Sequence, residues 1–227
     1  LKSVFPSTKS FAYAEWWFNW DSAENQFDPD SPYSPSGSVK EKVSHQLLNS
    51  FQSLEISESD FVWTPTHWQK SQFPDSIQSR MAVVHEGVDT TFYRPFQKRE
   101  FNKLDFNLTY SSRALESMRC FDHFIPIISR VLKSNPRTSL SIVGKEKAVY
   151  RPLAKNHKSL LSIAKNTFST DNVLDRVQFF TRLNPVDYRK MFMQSDLHIY
   201  YSRPFVASWS LLESMSSGCT LVSNLTP

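Results

Sequence analysis

The chain has 227 residues, of which 40% are hydrophobic and 21% charged, and its formal net charge is only +4. This composition is typical of a folded globular protein and excludes disordered and fibrous chains, and the mild, dispersed positive charge does not indicate nucleic-acid binding. No apolar run reaches the roughly 18 residues of a transmembrane helix, and the first residues lack the apolar core of a signal peptide. The sequence therefore predicts a cytoplasmic protein with at most peripheral membrane contact.

Short apolar runs rich in β-branched and aromatic residues recur along the chain and are candidate strands. They lie at residues 11–14, 61–63, 81–84, 107–110, 140–144, 177–180, 197–201 and 220–223. Helical periodicity covers residues 43–54 and 121–132, where we expect the second helix to continue past Pro126, and a short helix is expected around 158–166. This alternation predicts an α/β fold with parallel sheets covered by helices.

Two polar segments interrupt the alternation. Residues 21–40 are rich in Pro and Ser, which predicts a surface loop in which Asp28 and Asp30 are turn residues and not metal ligands. Residues 88–106 separate two strand-rich regions, so the best domain boundary lies near residue 100.

The cysteines and the two ends of the chain carry further expectations. Cys120 and Cys219 are far apart and have no metal-ligand spacing, which indicates a reduced compartment and no catalytic thiol. The chain begins with Leu1, and it stops at Pro227 just after an apolar run typical of a buried strand. We therefore expect the natural sequence to continue beyond both ends.

Two arginines follow a predicted strand and precede a predicted helix. Arg113 and Arg119 lie between residues 107–110 and the helix that starts near Phe121. Ligands of open α/β sheets bind outside the carboxyl ends of strands, where a helix N-terminus favours anions, so the pair could hold a diphosphate. The alternative is that both are solvated loop charges. The absence of a Gly-rich loop from the sequence argues against a dinucleotide or Walker-type site.

A second polar group follows the predicted strand 197–201. Ser208 or Ser210 can cap the start of a helix that Gly218 can end. Glu213 then lies one turn inside the helix, where its carboxylate suits ribose hydroxyls; the alternative is an ordinary surface glutamate. The apolar residues predicted to face inward are Leu211, Leu212 and Met215.

Taken in order, these segments resemble family-four-type glycosyltransferases of the GT-B fold. The C-terminal half of that family is resembled by LTYSSRALESMRCFDHF, LSIVG, DRVQFFTRLNPVDYRKMFMQSDLHIYY and PFVASWSLLESMSSGCTLVS. The end of its N-terminal domain and the interdomain link are resembled by SDFVWTPTHWQKSQFP and MAVVHEGVDTTFYRP. The resemblance is good over residues 60–227 and looser over 1–59. It implies two truncated Rossmann-like domains: residues 1–100 on the acceptor side, with the link, and residues 101–227 for the donor.

The resemblance implies an activity and roles for individual residues. The activity is transfer of a sugar from a nucleotide-sugar donor, such as a UDP or GDP sugar, to an unknown saccharide, lipid or protein acceptor, with retention of anomeric configuration. Because arginines can stabilise the diphosphate and the sequence has no clustered carboxylate site, we also expect no metal and no cofactor. Arg113 and Arg119 would grip the donor diphosphate and act in catalysis, because preorganised cations stabilise the charge on the departing oxygens. Glu213 would bind the ribose, and Thr181 and Arg182 would run beside the base. The residues that would begin the phosphate-facing helix are Ser208, Trp209 and Ser210.

On the acceptor side, the resemblance makes Glu15 a candidate for hydrogen bonding to the transferred or acceptor sugar, with a neighbouring tryptophan stacked on that sugar. The alternative places Trp16, Trp17 and Trp20 in the core and leaves Glu15 as a rim charge. Residues 85–87 could line a cleft, although a hinge histidine is the simpler interpretation.

One departure from the family pattern matters. Phe205 stands where the family has a first glutamate, eight residues before Glu213, which puts in doubt the contact of that glutamate with the transferred sugar and leaves the donor sugar unidentified. This departure motivates one alternative, a noncatalytic nucleotide-sugar-binding or scaffold module. A GT-B-fold epimerase of the nucleotide sugar is a further alternative.

Overall fold

The structure is a computed structural model that describes residues 4, 7–34, 37–95, 105–150 and 159–226. The chain forms two units, the first with Leu1–Glu86 and Pro204–Val206 and the second with Gly87–Arg203 and Ala207–Thr226. The chain therefore passes from the first unit to the second at Glu86–Gly87. The predicted division near residue 100 falls on residues outside the described ranges and stays a prediction.

The first unit contains a parallel sheet, which in the described residues has three strands in the order β1-β2-β3. Its elements are β1 (Phe11–Tyr13), α1 (Ala23–Gln26), α2 (Val39–Glu58), β2 (Phe61–Thr64), α3 (His67–Ser71), α4 (Asp75–Gln78) and β3 (Met81–Val83).

Buried and more exposed side chains alternate along β1 and β2, which places one face of this sheet in a core. Ala12 and Val62 are buried there with Ile56 of α2 and Phe73. Helix α2 begins at a capping box in which Ser38 and Glu41 satisfy each other's main-chain N–H groups, and the predicted apolar stripe along it is exposed. Helix α1 corrects the prediction that residues 21–40 have no regular structure.

The second unit contains a larger parallel sheet, which in the described residues has five strands in the order β6-β5-β4-β7-β8. Its elements are β4 (Phe106–Ala114), α5 (Phe121–Ser134), β5 (Thr138–Lys145), α6 (Leu160–Thr170), β6 (Val177–Phe180), α7 (Pro185–Gln194), β7 (Leu197–Tyr200), α8 (Trp209–Ser216) and β8 (Leu221–Ser223). In this order the consecutive strands β6 and β7 are not neighbours in the sheet, and such crossovers between parallel strands are typical of an open α/β fold.

Each predicted strand is present in the structure, and so are the four predicted helices, as α2, α5, α6 and α8. Helix α5 continues past Pro126 because the proline lies in its second turn and costs one main-chain hydrogen bond. Helix α7 is absent from the elements predicted above, although Asn184 caps it and Pro185 is its first residue, a recognisable helix start. Strand β4 runs on to Ala114, beyond the predicted end at residue 110.

Parallel strands bring their carboxyl ends to one edge of the sheet, so the residues after β4, β5, β6 and β7 meet there. Gly144 near the end of β5 permits a close approach, because a Cβ atom there would lie 2.7 Å from a side-chain carbon of Leu115. Among the described helices, none combines the length and the apolar character that crossing a membrane requires.

Candidate functional site

Arg113 lies on β4 itself and not in a loop, because the strand extends to Ala114. The pairing with β5 shifts register between Ser111 and Ala114, which marks an irregularity at the carboxyl end of the strand. The side chain of Arg113 is exposed, and its guanidinium lies 5.9 Å from the centroid of the Tyr150 ring.

Arg119 is buried, with 4% of its surface exposed, so the interpretation as a solvated loop charge is wrong for this residue. Its Nη1 donates to Ser202 Oγ at 2.9 Å and to Tyr200 Oη at 3.2 Å, and both acceptors follow or end β7. The residue ends a turn of 3₁₀ helix, and Cys120, in the left-handed region with φ of 48°, leads from it into α5. A cation is therefore held at the carboxyl edge of the sheet by two hydroxyl groups.

The start of α8 reaches the same hydroxyl. The main-chain N–H of Ser208 donates to Tyr200 Oη at 3.1 Å, and the Ser208 side chain caps the helix by accepting from the N–H of Ser210. Arg119 and the helix N-terminus thus share one acceptor atom. The positive end of the helix dipole and a guanidinium lie together, which is the electrostatic arrangement that favours an anion.

Helix α8 turns a face of small residues toward the sheet. Ser210 and Ser214 are buried, and Ser210 Oγ donates to the carbonyl of Ser111 at 3.2 Å. Met215 is 55% exposed, which corrects the prediction that it faces inward. Serines allow a closer approach to β4 than leucine or methionine would. Gly218, with φ of 73°, ends the helix as predicted.

Glu213 lies in a small recess of about 190 Å³ that Tyr93 and Trp209 also line. Burial raises the pKa of the Glu213 carboxyl, and a hydrogen bond from Tyr93 partly opposes this by lowering the pKa. Burial, with the Glu213 charge as a smaller cause, raises the pKa of Tyr93 and of Tyr188. The recess is smaller than the roughly 300 Å³ of a typical ligand pocket, so it suits one ring of a ligand and not a whole nucleotide.

Thr181 and Arg182 are exposed between β6 and α7, at the same edge of the sheet. Strand β5 separates β6 from β4, so this turn lies about two strand spacings, roughly 10 Å, from the end of β4. Arg119 is linked to Ser208 through the Tyr200 hydroxyl, and Ser208 is linked to Ser210 by the helix cap. Glu213 shares their helix but lines its own recess, and Thr181 and Arg182 share only the sheet edge.

Tyr150 and Tyr200 are site residues that the sequence patterns did not indicate. The Arg119 guanidinium lies 5.7 Å from the Tyr150 ring centroid, so this ring contacts both arginines. Tyr200 lies within the predicted strand 197–201, where an aromatic residue is an ordinary strand former, and its hydroxyl gives no separate signal in the sequence. Pairings of this kind join residues far apart in the chain and become visible only in the fold.

In the first unit, Glu15 is half-buried directly after β1, and its carbonyl accepts a hydrogen bond from Gln69 Nε2 at 2.9 Å. Trp16 is buried and Trp17 packs against the core of this unit, so the interpretation as core residues is correct for both. Trp20 lies under the ammonium of Lys42, 5.2 Å from its ring centroid.

Phe205 groups with the first unit, where its ring packs edge-on against Trp16 with centroids 4.9 Å apart. Only 7% of the surface of Phe205 is exposed, so its side chain is buried in this aromatic contact. A phenyl ring offers a sugar hydroxyl no hydrogen-bond acceptor of the kind that a glutamate offers.

The described part of the chain contains no group of three or more His, Cys, Asp or Glu residues placed to bind a metal ion. Asp28 lies in a turn, as expected, where its carbonyl accepts the N–H of Ser31. His85 and Glu86 lie where the chain leaves the first unit, and the Tyr13 hydroxyl donates to Glu86 Oε1 at 2.6 Å.

Comparison with known proteins relates part of the chain to a glycosyltransferase family model and relates its fold to solved structures. A family model described as "Glycosyl transferase family 4 group" matches residues 1–93, less than half of the 227-residue chain. No curated protein matches the chain in sequence.

Solved structures share the fold. Sucrose-phosphate synthase from Thermosynechococcus elongatus gives a TM-score of 0.64 at 11% identity, over 99% of this chain and 58% of that chain. The pneumococcal O-GlcNAc transferase GtfA, in complex with UDP and GlcNAc, gives 0.57 at 16% identity, over 78% of this chain and 32% of that chain. Starch Synthase IV from Arabidopsis thaliana, bound to ADP and acarbose, gives a TM-score of 0.57 at 12% identity, over 76% of this chain and 41% of that chain. These likenesses confirm the α/β fold with parallel sheets of the GT-B glycosyltransferases, and the chain spans only part of each of these proteins.

Proposed function

We propose that this protein is a glycosyltransferase that uses a nucleotide-sugar donor and binds the donor diphosphate at the carboxyl edge of the five-stranded sheet. The observation that carries the proposal is the meeting of Arg119 and the start of α8 at the Tyr200 hydroxyl. The match of the family model, and the fold shared with enzymes whose structures hold UDP or ADP, support it.

The chemistry explains why cations belong at this edge. In the transfer, the bond between the anomeric carbon and the diphosphate oxygen breaks, and its electron pair stays on the diphosphate. An acceptor hydroxyl forms the new bond to that carbon and loses its proton. Arg113, Arg119 and the positive end of the α8 dipole would stabilise the charge on the departing oxygens, in the role that a metal ion has in other enzymes. We propose that the reaction needs no metal or cofactor.

The rest of the donor is assigned by size and chemistry. The recess at Glu213 would take the ribose, whose two hydroxyls can donate to the carboxylate. Thr181 and Arg182 would lie beside the base, and Trp209 of the phosphate-facing helix also lines the ribose recess. Glu15 is the proposed contact for the transferred or acceptor sugar. Retention of configuration follows from the resemblance to family-four enzymes and is part of the proposal.

A noncatalytic nucleotide-sugar-binding module is the second candidate, and Phe205 is the observation that favours it. Its ring packs against Trp16, at the place where the family has a glutamate for the transferred sugar. Such a module would keep the diphosphate site and lose turnover.

Calorimetry and a turnover assay separate these candidates. The protein is titrated with UDP, GDP and ADP, and it is then incubated with UDP-glucose, UDP-N-acetylglucosamine, GDP-mannose and ADP-glucose in the presence of candidate acceptors. Binding together with release of nucleoside diphosphate and a glycosylated product supports the transferase. Binding with no turnover supports the module, and a changed free nucleotide sugar indicates an epimerase. If none of these nucleotides binds, the proposal is wrong.

A further inference from the structure

The ring of Tyr150 lies against both arginines of the proposed diphosphate site. We propose that Tyr150 is a positioning residue that holds the Arg113 and Arg119 guanidinium groups at one aromatic ring for the donor diphosphate. The inference rests on the proposed function, because it assigns Tyr150 a task at that same site.

The geometry is that of one aromatic ring shared by two cations. The guanidinium carbons lie 5.9 Å (Arg113) and 5.7 Å (Arg119) from the ring centroid, within the approximately 6 Å at which a cation is attracted to an aromatic face. Two guanidinium groups near one ring repel each other, and the electron-rich face of the ring offsets part of that repulsion. The ring therefore stabilises two cations close to the proposed anion site.

Hydrogen bonds to the main chain of Tyr150 hold its ring in place. The carboxylate of Glu116, of which only 1% is exposed, accepts the N–H groups of Val149 at 3.1 Å and Tyr150 at 3.0 Å through Oε2. Two main-chain N–H groups that donate to one carboxylate oxygen fix the position of the main chain at residues 149 and 150. Glu116 lies between the two arginines in sequence, so one short segment supplies both cations and the anchor of the ring.

The two arginines depend on the ring to different degrees. Arg119 is buried and is already fixed by Tyr200 and Ser202, whereas Arg113 is exposed and has a long side chain with much conformational entropy to lose. Tyr150 should therefore act mainly by ordering Arg113 before the ligand arrives.

The test is a double-mutant cycle between Tyr150 and Arg113 with inorganic pyrophosphate as the probe, which makes the result independent of the base. Affinity is measured by calorimetry on the intact protein, and circular dichroism checks that each variant is folded. Tyr150→Leu should weaken pyrophosphate binding about fivefold, as expected for one lost cation–π contact, whereas Tyr150→Phe, which keeps the ring, should stay within about twofold. The same exchange in the first unit, Tyr33→Leu, is the control and should leave binding unchanged.

The cycle shows whether Tyr150 acts through Arg113. In the Arg113→Ala background, adding Tyr150→Leu should cost less than about twofold, because the residue that the ring orders has been removed. Additive losses, or a loss in Tyr150→Phe equal to that in Tyr150→Leu, would overturn the positioning role.

The same data distinguish this inference from the proposed function. If Arg113→Ala and Arg119→Ala weaken pyrophosphate binding and folded Tyr150→Leu does not, the diphosphate site stands and the role of Tyr150 is wrong. If neither arginine variant changes pyrophosphate affinity, the proposed site itself is wrong, and the inference about Tyr150 falls with it.

Discussion

Arg119 Nη1 donates to the hydroxyl of Tyr200 at 3.2 Å, although 81 positions separate the two residues. The same hydroxyl accepts the N–H of Ser208 at 3.1 Å. One tyrosine oxygen therefore joins the segment after β4, the end of β7 and the start of α8. A buried cation is costly unless its donors are satisfied, so this junction serves both the stability of the fold and the proposed binding of a diphosphate.

Removal of that oxygen should affect stability and binding together. Tyr200→Phe leaves one Arg119 donor and the Ser208 N–H without this acceptor, and we expect the free energy of unfolding to fall by about 1–3 kcal/mol. Pyrophosphate affinity should fall as well, because Arg119 loses one of its two fixed hydroxyl contacts. Urea denaturation and calorimetry measure the two effects. Tyr201→Phe, the same change at the next residue, is the control; equal effects in both variants would remove Tyr200 from the junction.

Glu213 should discriminate between ribose and deoxyribose. The carboxylate in the recess can accept from ribose hydroxyls, so Glu213→Gln should lower the affinity for whichever of UDP, GDP and ADP binds best by about tenfold, a loss typical of one charge-assisted hydrogen bond. The affinity for the 2′-deoxy nucleotide should change much less. Glu55→Gln, at an exposed position of α2, is the matched control. If the ratio of the two affinities is the same in wild type and Glu213→Gln, the ribose assignment is wrong.

His198 should make stability fall in acid. The imidazole is fully buried and its Nδ1 lies 2.8 Å from Thr109 Oγ1, and burial lowers the pKa of His198 from 6.5 to about 3. Between these two pKa values the imidazole is neutral in the folded protein and protonated in the unfolded protein. Unfolding therefore takes up a proton, and the fold loses stability as the pH falls. Between pH 6.5 and about 3 the free energy of unfolding should therefore drop by up to about 1.4 kcal/mol per pH unit from this residue.

Urea titrations from pH 7 to pH 4 on wild type and His198→Asn measure that contribution. The variant should be less stable at pH 7 and should show a shallower decline in acid. His67→Asn, at an exposed position, controls for the loss of an imidazole and should keep the slope of the wild type. Parallel curves for wild type and His198→Asn would contradict the account of this histidine.

Restoring a glutamate at position 205 should damage the fold. Phe205 is buried against Trp16, so Phe205→Glu would place a carboxylate among aromatic rings and cost about 2–4 kcal/mol of unfolding free energy. Phe205→Leu, which keeps an apolar side chain, should cost about 1 kcal/mol. Thermal unfolding compares them. A Phe205→Glu variant as stable as wild type would mean that the position can present a polar group.

Much of the fold follows from local sequence patterns. In the part of the chain that the structure describes, a short apolar run indicates each strand, because β-branched and aromatic residues pack well in a sheet. The end of β4 was not indicated, since Ser111, Ser112 and Arg113 are polar and resemble a loop. The buried face of α8 was missed for a related reason: Ser210 and Ser214 pack where the periodic pattern favours leucine and methionine.

The site was indicated less completely than the fold. Arg113, Arg119 and Glu213 stand out by charge and by their places after predicted strands, but their hydroxyl and ring partners come from distant segments. Tyr150 reaches the arginines because Glu116 holds its main chain, and no local periodicity encodes that contact. Nonlocal hydrogen bonds of this kind require the strand order before they can be inferred.

The most direct test of the central claim is a crystal structure of the protein with the nucleoside diphosphate that binds best. We expect the diphosphate within hydrogen-bond reach of the Arg113 and Arg119 guanidinium groups and beside the N-terminus of α8, with the ribose at Glu213. Density for the diphosphate elsewhere on the molecule, with both guanidinium groups uninvolved, would contradict it.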